Sequence, residues 1–307
     1  MNIAVFGATG FVGNYIIESL IKNNHNPIAL VRDGSQKKLR SKVEIIIGNL
    51  DDTDAINQLL SKVDAVIYNI GIIREFPKKG ITYENAHFKN LCKIVDGSKA
   101  NNIQRFILMS ANGIDSNETG YQSSKIRGEN YLKESNLDWT IFRPSLIYGN
   151  PKGGIEFCSQ LKWDMISLPI PAPSFYSGLL PINSGNFRMS PIHVKNVSDF
   201  FAKAIDRQNT FHKTYMLGGS TSFTWNEIIK IIASASKKNK WIIPAPVLPI
   251  KLLAKIFQQF SWFPITSDQI TMLLQGNVCL NNKLFSEFEI EEIPFNKTSL
   301  SYLADSE

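Results

Sequence analysis

The opening residues Met1-Asn2-Ile3-Ala4-Val5-Phe6 read as a buried strand, and Gly7-Ala8-Thr9-Gly10-Phe11-Val12-Gly13 follows them directly. A helical pattern then begins, with Val12, Tyr15, Ile16 and Leu20 on one side and Asn14, Glu18 and Lys22 on the other. A strand, a glycine-rich turn and a helix N-terminus make an anion site, because free backbone N–H groups and the helix dipole face the same point. Glycines at such a turn permit a tight bend, close approach of a pyrophosphate and close helix–strand packing. The spacing is G-x-x-G-x-x-G rather than G-x-G-x-x-G, and the plain alternative is an ordinary strand-to-helix turn. The flanking strand and helix favour a dinucleotide site lined by Gly7, Thr9, Gly10, Phe11, Val12 and Gly13.

The same alternation continues. Strands are expected at 27–31, 43–47, 64–68, 105–109 and 139–142, with helices at 53–61, 83–100 and 121–135 between the later ones. Short apolar strands alternating with helices imply a parallel sheet covered on both faces. Right-handed crossovers make it a doubly wound α/β fold, with its ligand crevice at the strands' carboxyl ends. Residues 1–150 form this dinucleotide-binding domain, with 190–220 packing back on it, and 151–307 form a smaller carboxyl-terminal lobe. The stretch 151–188, rich in Pro, Gly, Ser and aromatics, reads as an elaborated loop region. Later elements are a short strand at 190–194, a helix at 197–207, a helix opened by the capping box Thr224-Trp225-Asn226-Glu227, and a helix from Pro249 through Gln259. That last helix presents Ile250, Leu253, Ile256, Phe257 and Phe260 on one face; a final helix spans 267–275.

The formal net charge of +6 comes from scattered lysines, with short clusters at 36–40 and 236–240 and no basic stripe interleaved with aromatics. A nucleic-acid partner is therefore not expected. Three cysteines far apart (Cys92, Cys158, Cys279) give no disulfide framework or metal-ligand spacing and fit a reducing compartment. With no signal peptide and no uninterrupted apolar span, the expected location is the cytoplasm or an organelle matrix.

Arg32 ends the second strand, where a dinucleotide site meets the adenosine ribose; arginine there suits the 2′-phosphate of NADP, and acid suits the 2′-hydroxyl of NAD. Asp33 next to it keeps NAD open, but NADP(H) is favoured over NAD(H), and Lys37 and Lys38 add to the positive field. Tyr121 and Lys125 stand four residues apart, on one face of the expected helix. Such a pair suits general acid–base chemistry coupled to hydride transfer: the ammonium lowers the phenol pKa and also bonds the nicotinamide ribose. A chance Y-x-x-x-K is the plain alternative.

Gly7-x-x-Gly10-x-x-Gly13, Asn69-Ile70-Gly71, Tyr121-x-x-x-Lys125 and the run from Arg143 to Gly149 occur in the order of the extended and atypical short-chain dehydrogenase/reductases, which the chain resembles. The segments 191–197, 215–219 and 265–274 resemble the atypical subgroup that contains the NADPH-holding accessory subunit of respiratory complex I. The resemblance implies a Rossmann fold, with Asn49, Leu50, Asn69 and Gly71 at the cofactor and Tyr121, Lys125, Ser110 and Asn112 at the reacting end. It also departs from the family. Asn112 stands where relatives carry a serine or threonine; Ser110, Ser123 or Ser124 could substitute, but an amide does not share a proton as a hydroxyl does. Gly48-Asn49-Leu50 replaces G-D-L, and Asn196 replaces an aspartate.

Three further features have two readings each. His193 is either a substrate contact or a packed strand residue. Arg143 and Arg188 either bind an anionic substrate or form structural ion pairs. The segment from Trp241 to Phe263, with Trp262, Lys251 and Lys255, either packs on the core or docks on a membrane or a larger complex. The function expected is hydride transfer between NADP(H) and a small hydroxyl or carbonyl substrate. The alternatives are a non-catalytic NADPH-holding subunit or assembly factor of a larger complex, and a sugar-nucleotide epimerase or dehydratase. The partner expected is a small-molecule substrate, with peripheral membrane or large-complex association as an option.

Overall fold

A computed structural model describes residues 1–258, 260, 263, 265–279 and 283–305. Trp262 and Gln259, which figure in the expectations above, lie outside them. The described chain divides into two compact units: the first takes residues from 1–144, 194–217 and 283–291, the second from 145–193, 218–282 and 292–307.

The first unit is built on a seven-stranded sheet. Its strands are β1 (Asn2–Phe6), β2 (Asn26–Val31), β3 (Glu44–Ile47), β4 (Ala65–Tyr68), β5 (Arg105–Met109), β6 (Asp138–Pro144) and the strand Lys213–Leu217. Every pairing is parallel, and the spatial order is 213–217, β6, β5, β4, β1, β2, β3. Apolar runs without alternation make sense here, because both faces are covered. Phe6, Leu30, Val66, Tyr68, Phe106, Leu108 and Ile141 are buried together with Ile56 and Leu59 of α2 (Thr53–Leu60) and Ile94 and Val95 of α3 (Asn90–Ala100). Helix α1 (Phe11–Lys22) packs against the helix Val194–Ala204, and Ser19 donates to Asp199 at 2.6 Å. That second neighbour explains why Ser19, a polar residue of the helix, is buried.

The helix expected at 83–100 is in two parts: Glu84–Lys89 is a π-helical turn, and α3 continues from Asn90. Helix α4 (Gly120–Lys133) opens with a full capping box between Thr119 and Gln122. It is tied to the end of β6 by a two-pronged ion pair. Arg143 Nε and Nη2 donate to the two Glu129 oxygens at 2.8 and 2.7 Å, and Nη1 reaches Asp115 at 2.8 Å. Of the two readings of Arg143, the contacts favour the structural one.

In the second unit, Trp225, Ile228, Ile229 and Ile232 of the helix Trp225–Ala235 bury with Tyr148, Phe295 and Leu300. The stretch 151–188 is more regular than its composition suggests. It contains a short helix (Phe157–Leu161), a π-turn (Lys162–Ile166) and a strand (Ala172–Tyr176) that pairs in parallel with Ile242–Pro246. The helix Val247–Phe257 turns only part of the expected face inward: Ile250 packs on the core beside buried Val247 and Ala254, whereas Leu253 is 49% and Ile256 61% exposed. Among the described residues no helix is long and apolar enough to cross a membrane.

The Arg143–Glu129 pair is buried and bidentate, so removing one partner strands the other charge. Glu129→Ala is expected to lower the unfolding free energy by about 3 kcal/mol in urea titration, and Glu129→Leu combined with Arg143→Met to recover most of it. An unchanged midpoint for Glu129→Ala would show that the pair does not hold α4.

Candidate dinucleotide site

The chain winds outward from β1 through β2 to β3, then returns to β4 on the other side of β1 and winds outward again. The reversal lies between β1 and β4, where loops leaving in opposite directions open a crevice at the strands' carboxyl ends. The glycine turn leaves β1 there. Gly7 has φ +89° and its carbonyl accepts from Gly10 N at 3.1 Å. A β-carbon on Gly13 would sit 2.1 Å from Gly7 O, and one on Gly7 would sit 2.8 Å from Asn69 O. The turn therefore seats α1 directly against the end of β1 and beside the β4 loop, which only glycine permits.

No side chain caps α1, whereas α2 is closed by Asp52 and α4 by Thr119. The amides of Phe11, Val12 and Gly13 at the head of α1 are thus left for an external acceptor, with the helix dipole behind them. An uncapped helix start, a glycine-bounded turn and a switch-point position fit the pyrophosphate of a dinucleotide. Thr9 lies within the turn itself.

Asn14, the residue after the last glycine, organises the neighbouring loop. Its amide donates to Gly10 O and Lys38 O, both at 3.1 Å, and its carbonyl accepts from Arg40 N at 2.9 Å. Sequence reasoning misses this role because a polar residue early in a surface helix looks solvated. The loop so pinned carries Arg32, Asp33, Lys37 and Lys38. Arg32 is exposed and its guanidinium makes no hydrogen bond among the described residues, whereas the Asp33 carboxylate already accepts from Gly34 N at 2.9 Å and Gln36 Nε2 at 3.4 Å. Asn49 and Leu50 follow β3. Asn49 Oδ1 holds Asp51 N at 2.7 Å, and Leu50 packs on the core.

At the β4 end, Asn69 and Gly71 lead to a group of residues from three segments. A β-carbon on Gly71 would lie 3.4 Å from Lys125 Nζ and 3.9 Å from His87 Nε2. Lys125 donates to Met109 O at 3.2 Å, and burial lowers its pKa to about 8. Tyr121 sits edge-on to Tyr83 and His87, with ring centroids 5.7 and 5.1 Å away. Desolvation pushes its phenol up to about 12, opposite to the lowering expected from Lys125. Ser110 and Asn112 follow β5: the Ser110 hydroxyl is buried beside the Glu129 carboxylate without a hydrogen bond of standard geometry, and Asn112 N donates to Pro144 O at 2.9 Å.

His87 has no counterpart among the residues expected from sequence. Its Nε2 accepts from Ile72 N at 3.1 Å, which leaves the proton on Nδ1, 2.9 Å from Ser124 Oγ; Ser124 in turn donates to Tyr121 O at 2.9 Å. One imidazole therefore links the β4 loop to the first turn of α4. Its partners lie 15 and 37 residues away, so no local pattern reveals it. Of the other candidates, His193 is buried in the second unit edge-on to Tyr148, a packed strand residue, and Arg188 donates to the Ser222 hydroxyl and carbonyl.

Burial, with the Lys125 charge, holds His87 down to about 2, so it is neutral when folded and protonates near its ordinary value only when unfolded. The unfolded chain then binds the extra proton between about pH 6.5 and 2, and stability falls as pH drops through that window. In acid-dependent urea titrations, His87→Gln is expected to show a shallower loss than the parent below about pH 6. Parallel curves would show that His87 is not linked to folding.

Residues 7–164 match the family model described as NAD(P)H-binding. The chain is 26% identical over 308 residues to the NADH-ubiquinone oxidoreductase 40 kDa subunit, mitochondrial, of Neurospora crassa, covering 97% of this chain and 78% of that one. It is 24% identical over 277 residues to the NADH dehydrogenase [ubiquinone] 1 alpha subcomplex subunit 9, mitochondrial, of Dictyostelium discoideum, covering 87% and 73%. In fold it is similar to the Citrobacter sp. triphenylmethane reductase complexed with NADP(H), with TM-score 0.71, 14% identity and 99% coverage of both chains. These relatives correct the partner expectation. A small-molecule substrate no longer stands first, because the proteins matched over most of the chain are named as subunits of a large complex. The chain belongs to the NAD(P)H-binding family, within the atypical, extended branch of the short-chain dehydrogenase/reductases.

Proposed function

We propose that the chain holds NADP(H) as a retained ligand and serves as a non-catalytic member of an NADH-ubiquinone oxidoreductase type of assembly. The observation that carries this reading is a complete cofactor cradle combined with an incomplete proton-transfer set. The cradle is the uncapped start of α1 at Gly10 to Gly13. Arg32, whose guanidinium makes no hydrogen bond among the described residues, would form a charge-assisted fork on a 2′-phosphate, while Asp33 is already engaged by its own turn. Asn69 and Gly71 flank the nicotinamide side, where Lys125 meets the ribose.

When bound, the nicotinamide ring supplies a hydride. The residues that would pair that hydride with a proton are poorly tuned for it. Burial raises the pKa of the Tyr121 phenol, and Asn112 stands where the family resemblance implies a hydroxyl. The relatives' printed names favour an assembly role in the same direction. An organelle matrix or the cytoplasm suits such a role.

The test is mass spectrometry of nucleotides released from the purified protein. NADP(H) in near-stoichiometric amount with slow exchange is expected, and Arg32→Ala is expected to weaken NADPH binding by about tenfold while leaving NADH unchanged. NAD alone, a trapped nucleotide sugar, or steady hydride transfer abolished by Tyr121→Phe would each overturn the reading.

A further inference from the structure

The second unit concentrates positive charge in one place. Lys230 on the helix Trp225–Ala235, Lys237, Lys238 and Lys240 just after it, and Lys297 from the carboxyl-terminal segment line a cleft of about 420 Å³. Among the described residues no carboxylate lines that cleft. Glu227 stands one turn before Lys230, but its carboxylate is taken up by Thr224 N and Oγ1 at 2.7 and 2.9 Å. The plain reading is that lysines complement the negative end of a helix. A helix terminus carries only about half an elementary charge, which does not balance five ammonium groups.

The five are not equivalent. Lys238 donates to Ser167 Oγ at 3.0 Å and Lys240 to Leu168 O at 2.7 Å, which fixes the wall of the cleft. Lys230, Lys237 and Lys297 make no hydrogen bond through their ammonium groups among the described residues. Lys237 also adopts φ +55°, a left-handed conformation usually given to glycine at a helix end. Burial, and after it the charge of Lys238, lower the pKa of Lys240. Beside the cleft, Ala172 N bonds Trp241 O at 2.7 Å, which brings the segment of exposed Leu168 and Ile170 alongside Trp241, itself 81% exposed.

We propose that this lysine cleft binds a multiply charged phosphate group, carried by a phospholipid headgroup or by a soluble phosphate ester. Convergent ammonium groups without a counter-ion raise the local concentration of anions, and a dianion relieves more of the mutual repulsion than a monovalent ion does. The apolar rim suits a phosphate borne on an apolar body, and the cleft itself suits the phosphate. The proposal is independent of the dinucleotide reading, because every lining residue lies in the second unit.

The test compares the full chain, saturated with NADPH, against the triple variant Lys230→Gln, Lys237→Gln, Lys297→Gln, whose three side chains carry no structural hydrogen bond. The probes are inorganic pyrophosphate, by titration calorimetry, and phosphatidylcholine vesicles with and without phosphatidic acid, by sedimentation. Binding that weakens about tenfold in the variant, and falls with added salt, is expected for at least one probe. Loss of binding to phosphatidic acid vesicles alone assigns a headgroup, and loss to pyrophosphate alone assigns a soluble ester. No binding, or equal binding by parent and variant to both probes, overturns the proposal; an unchanged circular dichroism spectrum and melting profile show that the variant's second unit is folded.

Discussion

The first unit depends on a contact that contains no side chain: the backbone of Gly13 against the carbonyl of Gly7. Where a β-carbon would lie 2.1 Å from an oxygen, the helix cannot start here with any other residue unless the turn opens. Because α1 starts so close, its free amides and dipole stand at the end of β1, beside β4, where the strand order reverses. The next residue inherits the consequence. Asn14 is carried into the protein and bonds the 38–40 loop, so the register that makes a phosphate site also fixes the loop bearing Arg32. One helix start thus sets both the glycine turn and the loop that carries Arg32.

That economy explains which parts were legible in the sequence. The turn, the strand–helix alternation and the capping boxes are local, each being set by residues within a few positions of one another. Element ends moved by one to three residues, as cap geometry competes with apolar periodicity. Asn14 was illegible because its partners come from a loop 24 to 26 residues on. The strands at 172–176 and 242–246 were hidden for a different reason. Pro173, Pro244 and Pro246 lack the N–H groups that strand patterns presuppose, and a two-stranded parallel pair with open edges tolerates them. The helix at 247–257 is apolar nearly all round, so periodicity cannot say which face turns inward.

His87 illustrates the same limit at the site. A π-helical turn ahead of α3 breaks the 3.6-residue pattern at the segment where the imidazole meets Ile72 and Ser124. Nothing in the run Glu84–Lys89 marks it as a joint between a strand loop and the helix of the Tyr–Lys pair. Its consequence is electrostatic as well as mechanical. A neutral imidazole and a buried ammonium of lowered pKa share one low-dielectric space with a phenol of raised pKa.

Holding a dinucleotide and using it draw on different physics, and here they draw on different elements. Holding needs directed amides, a field and steric room, all supplied by the β1 turn, α1 and the loop after β2. Using it needs an acid whose pKa lies near the working pH, and that depends on the surroundings of Tyr121 on α4. Burial raises the pKa of that phenol, and Asn112 presents an amide where the family resemblance implies a hydroxyl. Neither change touches the glycine turn or Arg32. A chain of this family can therefore lose proton transfer through substitutions around α4 while its affinity for cofactor stays intact, and a bound dinucleotide then contributes stability to the fold in proportion to how tightly it is held.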